Sequence, residues 1–225
     1  MFVVPLRLTH SRRMYDLPRH RERDHDVVLD FVREHPFAML IGSSSEGPVA
    51  TQVPILIDVR EGERLFLRGH MMRNMDHHKA FQEKSEALCV FYGAHTYVSA
   101  RWYSNPQTGS TFNYMHVHAR GELRFLDENA LRRILEETTA HFENDENSPA
   151  LFRHLPKTYV DAMAKMIVAF EIEVRELRST FKLSQDRDEP SYDNIVLELD
   201  KQGGDARKIA QEMSKRKAQV FPKSA

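Results

Sequence analysis

Arg68, His70, Arg73 and Asn74 crowd the stretch "LRGHMMRN", where a strand-like run hands over to helix-compatible sequence. Guanidinium forks match phosphate oxygens, and a helix start adds unpaired N–H groups and the positive end of a dipole. The chemistry these residues predict is a phosphate seat. A solvated helix start bearing ordinary surface charges accounts for the same residues. The loop has too few glycines to cradle a phosphate in the manner of a P-loop or a dinucleotide fold, so side chains and a helix end must hold any nucleotide-type ligand.

A second group lies in "GAHTYVSARWY" and "STFNYMHVHARG". Trp102 and Tyr103 offer flat apolar faces, while Tyr97, Ser99, Asn113 and His118 offer polar edges, a combination that suits a planar ligand. Core aromatics that close a sheet are the competing account. His116 and His118 stand on one strand face at a spacing that chelates metals, but no third or fourth ligand stands at metal spacing, so ordinary strand histidines are expected there and no metal. A haem held by His95, His116 or His118 is a further alternative. No serine sits in a nucleophile elbow, which leaves hydrolase chemistry unsupported. Met71, Met72 and Met75 read as packing, and Glu136 and Glu137 as a solvated helix flank.

The elements that must position these groups are legible in outline. Asp24 caps a short helix, to about Glu34, with Val27, Val28, Phe31 and Val32 on one face. "HPFAMLIG" and "VATQVPILIDV" form a hairpin across "SSSEGP", and "RLFLRGH" is a third strand after "REGE". A helix over "RNMDHHKAFQ" precedes two strands, "ALCVFYG" and "TYVSARWY". "FNYMHVHARGELRFL" alternates Phe112, Tyr114, His116 and His118 against Asn113, Met115, Val117 and Ala119, as a long strand does. Asp127 caps a helix lined by Leu131, Ile134, Leu135, Thr138 and Phe142, and a weaker one lies near "KTYVDAMAKM". "IVAFEIEVREL" sets Val168, Phe170, Ile172 and Val174 inward against Glu171, Glu173 and Arg175. "FKLSQDRDEPS" reads as a polar loop, and a basic helix runs from Asp205 to about Gln219.

The expected organisation is an N-terminal arm (1–23), one domain (24–200) and a basic helical tail (201–225). The fold class is mostly β with peripheral helices, a closed or nearly closed antiparallel barrel, since closure removes unprotected edges. An α+β sandwich is the alternative, and a parallel α/β fold is excluded by the missing strand–helix alternation. The 225 residues carry 32 Lys and Arg against 33 Asp and Glu, so no global basic field draws the chain to nucleic acid. The single cysteine, Cys89, rules out an intramolecular disulfide and reads as a buried small hydrophobe in a reducing compartment. No apolar run approaches the roughly 20 residues of a membrane helix. A cytoplasmic protein is expected.

The blocks "MY.LP", "HPFAML", "VATQVPIL", "LFLRGHMMRN", "CVFYGAHTYVSARWY", "STFNYMHVHARGEL", "IVAFEIEV" and "KLSQDR" recur in the order seen in PaiB-type proteins, a family described as FMN-binding negative transcriptional regulators. The chain resembles that family from about Met14 to Leu199, departing from its pattern at Gln52, Phe112 and Asp186. The resemblance implies an antiparallel split β-barrel that forms a homodimer and binds FMN at the subunit interface. It implies that Arg73 and Asn74, with Arg68 or His70, seat the FMN phosphate. Thr51, Gln52 and Val53 would run along the ring edge, and Lys182 and Gln185 would approach from the C-terminal part, that of the partner chain. The aromatic strands, with Ser99, Trp102 and Asn113, would line the dimer cleft. The expected output is negative regulation of transcription, without a helix-turn-helix signal for direct DNA contact. An FMN-dependent oxidoreductase using NAD(P)H and a small acceptor is the alternative.

Overall fold

Six strands carry the structure: β1 (Phe37–Ser44), β2 (Gly47–Arg60), β3 (Arg64–Met72), β4 (Glu86–Val98), β5 (Thr111–Phe125) and β6 (Ile167–Lys182). They are seen in a computed structural model that describes residues 17–222, so most of the expected N-terminal arm lies outside the described residues. The strand order is β1-β2-β3-β6-β5-β4. β1 pairs antiparallel with β2, Phe37 opposite Pro54, and also with β4, Leu40 opposite Cys89. The order therefore closes on itself through β1. β3 is antiparallel to β2 and β6, with Gly69 opposite Ile55 and Phe170. A Cβ on Gly69 would stand 2.7 Å from the Pro54 carbonyl oxygen and 2.8 Å from the Phe170 ring, which is why glycine occupies the middle of this strand. Among the described residues there are six α-helices: α1 (His25–Glu34), α2 (Asp76–Glu83), α3 (Glu128–Glu143), α4 (Lys157–Ala164), α5 (Glu189–Gln202) and α6 (Gly204–Val220).

Two compact units divide the described residues. The first comprises Val32–Phe91 and His118–Leu177. Leu40, Leu67, Phe91, Phe170 and Ile172 are fully buried in it, each stabilising by roughly 1.5–3 kcal/mol. Leu131 and Ile134 of α3 and Ala164 of α4 pack with Ala169 of β6. Cys89 is fully buried, as expected, and burial pushes its thiol pKa far up. The second unit comprises residues 17–31, Tyr92–Val117 and 178–222. Here α5 and α6 bury Ile195, Leu199, Ile209 and Met213, and the Tyr192 hydroxyl donates to the Met213 carbonyl at 2.8 Å.

Several expectations need correction. "ALCVFYG" and the start of "TYVSARWY" run together as one strand, β4, which continues straight through Gly93. The strand ends at Val98, and Ser99 Oγ, accepting from the Arg101 amide, opens a short 3-10 turn over Ala100–Trp102. α5 was not expected at all, although Asp188 caps it through the Ser191 amide at 2.9 Å and Tyr192, Ile195 and Leu199 carry its apolar face. "FKLSQ" is no solvated loop: β6 runs to Lys182, and Phe181, Lys182, Leu183 and Ser184 are buried. Glu171 is buried rather than outward, because Arg60 and Arg124 both bind its carboxylate. Phe142 is half exposed, and Glu137 pairs with Arg68 instead of merely solvating its helix.

Candidate functional site

Strand pairing builds the corner that follows β3. Met72 lies opposite Ile167 in the ladder between β3 and β6. One step beyond, the Arg73 amide donates to the Met166 carbonyl at 2.8 Å, and Arg73 Nε donates to the Ile167 carbonyl at 2.7 Å. The guanidinium is thus fixed by backbone, and among the described residues no carboxylate pairs with it. Asn74 takes a left-handed conformation, φ 62°, and its amide donates to His78 Nδ1 at 3.1 Å. Nδ1 accepts only from a neutral ring, and burial, then the charges of Arg73 and His77, push the His78 pKa down. The buried His78 ring also meets Phe125 edge-on, 4.9 Å between centroids. α2 starts after Met75, whose side chain offers no cap. His70, on β3, keeps Nδ1 buried without a hydrogen-bond partner, and burial lowers its pKa.

Arg73 lines a cavity of about 590 Å³ together with Glu128, Arg132, Lys157, Asp161, Ala164 and Lys165. Arg132 is bound by Glu128 and Asp161, both at 2.7 Å, and Lys157 reaches Asp161 at 2.6 Å. Arg68 does not take part. Its Nε lies 2.6 Å from Asp58 and its Nη2 2.6 Å from Glu137, so its fork is spent on carboxylates. On β2, Thr51, Gln52 and Val53 stand opposite Leu40, Met39 and Ala38, with Val53 buried and Gln52 exposed.

In the second unit, Ser99 and Trp102 line a cavity of about 510 Å³ with Tyr97, Arg101, Glu198, Lys201 and Gln202. Tyr103 is instead a core residue, its ring face covered by the Arg187 guanidinium at 4.5 Å. Asn113, Lys182 and Gln185, anticipated as cofactor contacts, have other work. Asn113 is fully buried; its Nδ2 donates to Ser184 Oγ at 2.9 Å and its Oδ1 accepts from the same hydroxyl at 3.1 Å. Lys182 Nζ donates to the Phe112 carbonyl at 2.7 Å and to Thr111 Oγ1. Gln185 closes its own turn, accepting from the Leu183 amide at 2.7 Å and donating to the Phe181 carbonyl at 2.5 Å. The "KLSQ" string is therefore a clamp on the first residues of β5. His78, Lys165 and Ser184 were passed over in the sequence; only the spacing of His78, one helical turn past Asn74, hinted at its part.

An antiparallel sheet that ends in an arginine free of carboxylates, beside a cavity rich in cations, defines a candidate binder of phosphorylated ligands. Residues 14–176 match the family model described as "Putative FMN-binding domain", and the chain belongs to that family. FMN is the cofactor the family specifies. The chain is 28% identical to the protease synthase and sporulation protein PAI 2 of Bacillus subtilis over 189 residues, 84% of this chain and 90% of that protein, which bears out the PaiB-type resemblance. Solved structures share its fold. The FAD and heme binding protein from Mycobacterium smegmatis superposes with a TM-score of 0.52 at 16% identity, covering 72% of this chain and 73% of that one. The flavocytochrome Anf3 from Azotobacter vinelandii gives 0.51 at 17% identity, covering 77% and 75%. No helix among the described residues is long and apolar enough to cross a membrane.

Proposed function

We propose that the chain works as a homodimeric FMN-binding split-barrel protein, with Arg73 and Asn74 at the phosphate of the cofactor. The observation that carries this reading is the Arg73 guanidinium, anchored through Nε to the Ile167 carbonyl and lining a cavity without a carboxylate of its own. Arg73 is half-buried and held in place without a counter-charge, and a phosphate dianion would supply one. The orphaned Nδ1 of His70, on β3 three residues before Arg73, fits a polar group still to arrive. The left-handed Asn74, braced by His78, turns the chain into α2 so that the uncapped helix start and Arg73 share one corner. When bound, FMN supplies the electron-transfer chemistry. The chain's residues bind and orient it: Arg73 and Asn74 at the phosphate, Thr51, Gln52 and Val53 along the ring edge. Ser99 and Trp102 stay in the proposal as further cofactor contacts of the homodimer, whereas Arg68, Asn113, Lys182 and Gln185 leave it.

Dimerisation is supported by three aromatics exposed on neighbouring strands, Tyr92 and Tyr97 of β4 and Phe112 of β5. The strand order that closes through β1 supports the barrel reading. The single buried cysteine suits the cytoplasm, and residues 24–200 would form the flavin-binding core. Negative regulation of transcription, the output of PaiB-type proteins, would be indirect. On α6, Arg207, Lys208, Lys215, Arg216 and Lys217 each lie within ion-pair distance of a carboxylate, which leaves little free basic surface for DNA phosphates.

The test is the visible absorption spectrum after incubation with FMN and desalting, for the wild type and for Arg73→Ala combined with Asn74→Ala. Flavin bands retained by the wild type and lost by the variant are expected. A wild type that emerges colourless ends the FMN reading.

A further inference from the structure

Lys165 and Arg73 are held at the adjacent ends of two paired strands. Arg73 follows Met72, the last residue of β3, and Lys165 precedes Met166, whose carbonyl takes the Arg73 amide. Backbone pairing therefore places the two residues side by side at the strand ends. Both line the same 590 Å³ cavity, whose four cations face only two carboxylates. Those carboxylates are already engaged: Glu128 and Asp161 hold Arg132, and Asp161 also holds Lys157. Among the described residues Lys165 and Arg73 have no acidic partner, so the surplus positive charge of the cavity rests on them. An anion bound beside them would supply the counter-charge that the cavity's own carboxylates do not.

A second feature marks what kind of anion fits. Met72 and Met166, which flank the pair on the two strands, are 38% and 51% exposed, and Met75 beside the corner is 49% exposed. Exposed, adaptable methionines next to two unpaired cations suit a ligand with a phosphate at one end and an apolar body at the other.

We infer that Lys165, at the end of α4, is the second cation of the phosphate seat, and that this cavity takes a phosphate monoester with an apolar portion lying toward the methionines. The inference rests on the FMN reading for the identity of the monoester, and on the cavity alone for the anion. Lys165 is exposed, so replacing it leaves the core intact.

The experiment compares wild type, Lys165→Ala and Lys165→Arg by flavin fluorescence titration with FMN and with riboflavin, which lacks the phosphate, and by calorimetric titration with inorganic phosphate. Lys165→Ala is expected to weaken FMN about tenfold, the usual scale of a lost charge-assisted contact, while riboflavin affinity stays unchanged and Lys165→Arg restores FMN. Inorganic phosphate should compete with FMN on the wild type and lose that competition on Lys165→Ala. Wild-type FMN affinity in Lys165→Ala overturns the inference, as does an equal loss for FMN and riboflavin. If the wild type binds no flavin, the cofactor reading fails separately, and the phosphate titration decides alone: heat present in the wild type and absent in Lys165→Ala upholds the anion seat, and no heat in either removes it.

Discussion

Asn113 and Ser184 exchange two hydrogen bonds where water has no access. Removing one partner strands the other's polar atoms, at a cost of about 1–3 kcal/mol, whereas removing both costs less than the sum. Asn113→Ala should therefore lower the urea midpoint clearly, and adding Ser184→Ala to it should lower the midpoint little further; additive losses would show that the pair is not coupled. Protonation acts at the same scale. His70, His78 and His116 are all held below the ordinary value of 6.5, chiefly by burial. Each stays neutral in the folded chain while the unfolded chain takes up a proton near pH 6.5, so the unfolded state binds more protons as pH falls. Their contribution is complete above pH 6.5 and is lost as pH drops from there toward the folded-state values. Denaturant midpoints should fall between pH 7.5 and pH 5.5, and a flat profile would contradict the burial of these rings. The residue types in "LRGHMMRN" were informative in the sequence, but which of the two arginines was available was not, because the partners of Arg68 come from Asp58 and Glu137, on other elements.

Elements were legible where their period was clean. β5 alternates as its sequence does, with Asn113, Met115, Val117 and Ala119 inward. Burial of Glu171 was not legible, since the charges that neutralise it, Arg60 and Arg124, come from strands far away in the sequence. α5 was missed for a different reason: the acidic, proline-containing "DRDEPS" looks like a loop, yet Asp188 and Pro190 are a helix cap and first-turn residue. Gly121 shows how a strand's pairing can hang on one hydrogen atom. A Cβ there would lie 2.1 Å from the Glu173 carbonyl oxygen and 2.9 Å from Ile172 Cγ2. Because the nearest obstacle is backbone, β5 and β6 would have to part, and Gly121→Ala should cost about 1–3 kcal/mol or more. A thermal melt of that variant at the wild-type midpoint would refute the close approach.

For the whole molecule, the testable quantity is its assembly. Tyr97 and Phe112 meet edge-on, 5.6 Å between centroids, while each keeps half its surface exposed, so covering them removes apolar area from water without reorganising the sheet. Sedimentation equilibrium should give a dimer, and Tyr97→Asp with Phe112→Asp should give a monomer with unchanged far-ultraviolet circular dichroism; a wild-type monomer would remove the dimer from the proposal. Family membership was legible in the order of the blocks, while the clamp in "KLSQ" was hidden, because lysine and glutamine in a polar string give no sign of what they bind.

Cys89 faces Leu40 at the seam where β4 meets β1, and its thiol is shut away with its proton held fast. A reagent that needs the thiolate must wait for that seam to part, which makes alkylation of the lone cysteine a stopwatch built into the chain. Labelling in native buffer should proceed at the pace of complete unfolding. A faster tick would reveal that the pairing of β1 with β4 opens on its own.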